Sequence, residues 1–147
     1  MPCRTEKQEG GFGMIFAVID TNVVVSSLLT KQSDAATARV MQAIVDEKIT
    51  PLYNDEILAE YREVLARPKF KFDVGRVART IEMIIETGLD LNGKEWPESM
   101  PDESDRVFFE VALAGQSGDA KLVTGNKKHY PQVDFVVTPA QILTLLD

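Results

Sequence analysis

Four stretches of this 147-residue chain carry acid or amide side chains that could act together: Asp20 in IDTNVVVSSLL, Glu60 in DEILAEYREVLAR, Asp105 in PDESDRVFFEVALA and Asn126 in LVTGNKKHY. Carboxylates held close together repel, raise one another's pKa and destabilise the fold unless a cation lies between them. A hard divalent ion bound through oxygen resolves that conflict, and its natural chemistry is on phosphate esters. Each residue also has a plainer reading. Asp20 can cap the turn that follows it. Glu60 lies at the margin of a helical stripe made by Ile57, Leu58, Tyr61, Val64 and Leu65, where it could equally reach solvent or pair with Arg62 or Arg67. Asp105 follows Asp102 and Glu103 at a helix start, where acids are favoured by the cap and the dipole. Glu110, further along, is as well suited to a salt bridge as to a site, and Gly125-Asn126 can be a tight turn. His129 is the only histidine and Cys3 the only cysteine, which disfavours zinc and excludes a disulfide framework.

The elements that must position these residues alternate between strand and helix. MIFAVI (14–19) is a continuous apolar run, as expected of a central parallel strand covered on both faces, and it ends at Asp20. A helix is predicted from Asp34 to Lys48, with Val40, Met41, Ile44 and Val45 on one side, followed by a short strand, ITPLY (49–53). Asn54 or Asp55 can cap the next helix, which stops near Arg67, before Pro68. Asp73 to Thr87 is a further amphipathic helix ended by Gly88, and LDLNGKEW is a loop with at most a weak strand. Asp102 to Ala114 reads as a helix ended by Gly115, KLVT (121–124) and DFVV (134–137) as strands, and Thr138-Pro139 with Gln141 as a capped helix start. This rhythm predicts one α/β domain over 14–147, a three-layer α/β/α sandwich with a mainly parallel sheet. In such a sheet, ligands bind beyond the carboxyl ends of the strands, which is where Asp20 and Asn126 fall.

The bulk numbers fit that picture. A content of 44% hydrophobic and 27% charged residues is that of a globular domain, and no apolar run reaches the roughly 20 residues of a membrane span. Residues 1–13 are polar and lack a secretory h-region, so they are read as a disordered N-terminal extension. A single cysteine suits a reducing cytoplasm. The net charge of −7 argues against a protein that coats nucleic acid, though not against an enzyme that cuts it with a metal.

Taken together, IDTNVVVSSLL, ILAEYREVLARPKF, PDESDRVFFEVALA and LVTGNKKHYP resemble the PIN domain, more narrowly its group of toxins from bacterial toxin–antitoxin pairs. The resemblance runs from about Met14 to Asp147. It implies a central parallel sheet and a metal-dependent ribonuclease whose first three acids are matched by Asp20, Glu60 and Asp105. On that reading these three hold one or two Mg²⁺ or Mn²⁺ ions, and Asn126 positions water or the outer ion. Thr21, Asn22 and Thr124 support the loop around Asp20, while Arg67, Lys69, Lys71, Lys127 and Lys128 contact the RNA substrate. Many members carry an acid where this chain has Asn126, a weaker neutral ligand. The resemblance also implies a small antitoxin protein whose Arg or Lys reaches the carboxylates, and a homodimer. The alternative is a catalytically impaired module that binds RNA or protein. A dehalogenase-like phosphatase would need an acid at Asn22, and no glycine-rich nucleotide-binding loop is present.

Overall fold

The computed structural model describes residues 14–146, so the expected extension over 1–13 lies outside the described residues. The chain forms β1 (Ile15–Ile19), α1 (Thr21–Leu29), α2 (Ala36–Val45), β2 (Ile49–Tyr53), α3 (Asp55–Leu65), α4 (Val74–Thr87), β3 (Leu89–Asp90), α5 (Arg106–Ala114), β4 (Lys121–Val123), β5 (Val136–Val137) and α6 (Pro139–Thr144). Single 3₁₀ turns occupy Glu103–Asp105, Gln116–Gly118 and Lys127–His129.

The five strands form a parallel sheet in the order β3-β2-β1-β4-β5, so the apolar β1 lies at its centre. Ala17, Val18 and Ile19 are fully buried, as the run MIFAVI requires of a strand covered on both faces. Stepping from β1 to β2 to β3 moves one way across the sheet, and the connection to β4 returns the other way. Right-handed crossovers therefore place α1 to α4 and the returning α5 on opposite faces, which makes the three layers. α5 packs on β1, β2 and β4, whereas α2 packs on α1, α6 and β2.

Local rules account for most boundaries. Asn54 caps α3 by accepting a 2.9 Å hydrogen bond from the Ile57 amide. Thr138 and Gln141 form a reciprocal capping box at the start of α6, with Pro139 in its first turn. In α3 the buried residues are Ile57, Leu58, Tyr61, Val64 and Leu65, the stripe that its spacing predicts. Two expectations change. The residues after Asp20 make a nine-residue helix, α1, rather than a simple turn; burial of Val23, Val24 and Leu28 stabilises it despite three consecutive β-branched valines. The helix expected from Asp102 begins at Arg106, because Asp102 instead caps the 3₁₀ turn through Ser104. Gly88 ends α4 with φ −101°, without the left-handed turn common at helix ends. Its lack of a side chain matters because a Cβ there would lie 2.3 Å from the Pro51 carbonyl oxygen and 2.6 Å from that of Ile84.

Candidate metal centre

Parallel pairing brings the carboxyl ends of β1 and β4 side by side. The amide of Asp20 extends the ladder by donating to the Val123 carbonyl at 2.9 Å, so Asp20 and Thr124 emerge as neighbours. Thr124 Oγ1 donates to Asp20 Oδ2 at 2.7 Å. Tyr130 Oη donates to the same oxygen at 3.0 Å, and Asn22 Nδ2 to it at 3.3 Å. Asn22 Oδ1 in turn accepts from the Gly125 amide at 3.2 Å, tying the start of α1 to the loop after β4. Thr21 is buried beside them, its hydroxyl without a hydrogen-bond partner.

Asp20 is 5% exposed and makes no capping hydrogen bond to α1. Its strongest partners are in the site, and the backbone amides of Asn22 and Thr21 add weaker support to the anion. Burial pushes its pKa above the ordinary carboxylate value, while the hydroxyls of Thr124 and Tyr130 oppose that rise by favouring the anion. Tyr130 and Tyr61 are held above the usual phenol range by burial and then by the charge of Asp20, so both remain hydrogen-bond donors. Tyr61 donates to the Ile19 carbonyl and locks α3 to the end of β1. Glu60, the residue before Tyr61 on α3, is half-buried.

Asp105 ends the 3₁₀ turn before α5. Its pKa is pushed up to about 6, first by burial and then by the negative charges of Asp20 and Asp102, with Glu60 adding to the rise and His129 opposing it. The charges of Asp20 and Glu60 thus reach Asp105, whereas the ligand atoms that lie together belong to Asp102, Asp105 and His129. Asp105 Oδ2 is buried without a hydrogen-bond partner. His129 Nδ1 lies 3.4 Å from that oxygen, and the other ring nitrogen, Nε2, lies 3.0 Å from Asn126 Nδ2. Asp102, Asp105 and His129 each offer a ligand atom, all within 4.8 Å of one another.

An orphaned buried carboxylate oxygen, coupled to further acids, fits a divalent cation, and the mostly oxygen donor set fits a hard ion such as Mg²⁺ or Mn²⁺. The same coupling has a thermodynamic consequence. A carboxyl whose folded pKa exceeds its unfolded value of 3.8 contributes stability below pH 3.8, and that contribution is lost as pH rises through about 6. The shift corresponds to at most about 3 kcal/mol, and solvent screening around a partly accessible side chain reduces it to the order of 1–2 kcal/mol. In metal-free buffer, Asp105→Asn should therefore be more stable than wild type by that amount at pH 7.5 and equal to it near pH 3.5. Denaturant unfolding at the two pH values measures this, and equal stabilities at pH 7.5 would refute it.

Of the remaining candidates, Arg67 lies near enough to Glu60 to feel its charge. Glu110 Oε2 accepts from the Trp96 amide at 3.0 Å and pairs with Arg106 at 3.4 Å, anchoring the loop before the 3₁₀ turn. Lys127 and Lys128 line a cavity of about 350 Å³ with Pro131, Gln132 and Val133. Arg67 is engaged by Glu63 at 2.8 Å, and Lys69 and Lys71 lie in the loop beyond α3. Sequence reasoning set His129 aside for want of a zinc partner and passed over Tyr130. The available signal was their place three and four residues after Asn126, in GNKKHY. A family model described as PIN domain matches residues 17–128. No curated protein and no solved structure matches the chain.

Proposed function

The chain belongs to the PIN-domain family, whose members are generally nucleases, and on that premise we propose that it is a divalent-metal-dependent ribonuclease. The observation that carries the reading is the buried, unpartnered Oδ2 of Asp105 under the combined charges of Asp20, Asp102 and Glu60. Asp20, Glu60 and Asp105 would hold the ion, with Asp102 and His129 beside Asp105. When bound, Mg²⁺ or Mn²⁺ supplies Lewis acidity to the phosphodiester and to the attacking water. The chain's own part is orientation. Thr124, Tyr130 and Asn22 fix Asp20 through Oδ2, so its other oxygen is free for the cation. Asn126 turns the imidazole of His129 toward Asp105 and so acts through that ring as a neutral positioning group.

The narrower resemblance supports a toxin of a toxin–antitoxin pair, working as a homodimer and silenced by a small antitoxin that places an Arg or Lys among the carboxylates. Among the described residues no helix is long and apolar enough to cross a membrane. The test is cleavage of single-stranded RNA with Mg²⁺ or Mn²⁺ against the same reaction in EDTA. Metal-dependent internal cleavage supports the reading. Binding of RNA without cleavage under any divalent ion would replace it with the impaired binding module.

A further inference from the structure

The loop between α3 and α4, RPKFKF over 67–72, has no part in the carboxylate site yet is built with care. Phe70 and Phe72 stack face to face, with ring centroids 5.2 Å apart and an interplanar angle of 9°. Lys69 Nζ lies 5.1 Å from the centre of the Phe70 ring. Phe72 packs against the core, whereas Phe70 does not join it and rests on Phe72. Between them Lys71 takes φ 55°, a left-handed backbone that non-glycine residues adopt only when the surroundings impose it. Phe70 is half-buried and stands outside the core, with the exposed Lys69 and Lys71 on either side of it, so the packing of the core does not account for it.

The charge around the loop is also unlike that of the rest of the chain. Residues 62–79 hold six of the sixteen Lys and Arg residues against only two acids, Glu63 and Asp73, in a protein whose net charge is −7. Beside the stacked rings, Leu65, Pro68, Phe72 and Val77 with Arg67 and Lys71 line a cavity of about 200 Å³. That is smaller than the roughly 300–1,000 Å³ of ordinary small-molecule sites and has room for one planar group. α3 also carries Glu60, and from Glu60 to its end at Leu65 the helix rises about 7.5 Å.

We infer that this loop is a stacking platform for single-stranded RNA: a base lies against Phe70 and the flanking phosphates meet Lys69 and Lys71. The inference rests on the ribonuclease reading for the identity of its ligand. Exposed aromatic faces interleaved with cations take unpaired bases of any sequence, because every base presents a π face, whereas a duplex keeps its faces covered. The platform would hold the strand a few nucleotides from the carboxylates on the same helix, selecting unpaired substrate.

The test is fluorescence anisotropy of the full chain with a labelled single-stranded RNA 12-mer and its duplex, in EDTA so that no cleavage occurs. Phe70→Ala should weaken single-strand binding about 10-fold, Phe70→Tyr should retain it within about two-fold, and neither should alter duplex binding. Lys69→Gln should lower the slope of log affinity against log salt by about 0.7, the value of one single-strand phosphate contact. Because Phe70 lies outside the core, these variants should melt as wild type does. Phe70-dependent binding together with an absence of metal-dependent cleavage would support the platform while removing the nuclease reading. Unchanged affinity in Phe70→Ala, or equal losses for single strand and duplex, would overturn it. So would a change in self-association by sedimentation with RNA affinity intact, since the loop would then be a contact between copies of the chain.

Discussion

Replacing Asp20 by Asn should reduce metal-dependent RNA cleavage by at least about 100-fold while leaving the protein folded. Groups that only orient a metal ligand are worth about 10- to 100-fold, so loss of the ligand itself should exceed that. The geometry explains why so small a change is so damaging. Thr124, Tyr130 and Asn22 all donate to Oδ2, and an amide can satisfy them only with its single oxygen. Its NH₂ then occupies the place of the free carboxylate oxygen and presents donors to a cation. The fold should tolerate the exchange, because burial already raises the pKa of Asp20 and Asn brings no charge into the sheet edge. Initial cleavage rates beside circular dichroism melts measure both halves. A folded Asp20→Asn that cleaves within 10-fold of wild type would remove Asp20 from the site.

The second large effect is on stability and lies far from the chemistry. Gly88→Ala should cost about 2–3 kcal/mol and lower Tm by roughly 6–10 °C. The added methyl group would lie 2.3 Å from one backbone oxygen and 2.6 Å from another, so no side-chain rotation relieves it. Either the end of α4 must draw back from β2 or the short pairing of Leu52 and Tyr53 with β3 must open. Metal binding should persist in the folded fraction, since β1, β4 and the 3₁₀ turn of Asp105 are remote from the strain. Differential scanning calorimetry tests it, and a Tm within 2 °C of wild type would show that the close approach relaxes freely.

The contrast between these sites and the residues that escaped sequence reasoning is instructive. Asp20 was legible because an unbroken apolar strand must be central in a parallel sheet, and such a sheet binds at its carboxyl edge. The stripe of α3 likewise fixed Glu60 at a margin, since the 3.6-residue period determines facing without knowledge of partners. α1 was not legible. Val23, Val24 and Val25 are β-branched and poor local helix formers, and burial with packing against α2 and α3 makes them helical. His129 and Tyr130 escaped for a different reason. Their roles depend on contacts across 24 and 110 positions of sequence, to Asp105 and Asp20, which no periodicity encodes. Asn126 was visible as a departure, but its bond to His129 could be seen only in three dimensions. Phe70 and Phe72 are similar: their spacing is plain in RPKFKF, yet the left-handed Lys71 between them is not.

The most direct measurement is calorimetric titration of the metal-free protein with Mn²⁺, comparing wild type with the Asp20→Asn/Asp105→Asn double variant. Wild type should bind with a saturable isotherm at micromolar to millimolar metal, releasing protons near pH 6 as Asp105 gives up its own. The double variant, still folded, should give only heats of dilution. No saturable binding by wild type at millimolar Mn²⁺, or equal binding by the folded double variant, would contradict a metal centre at these carboxylates.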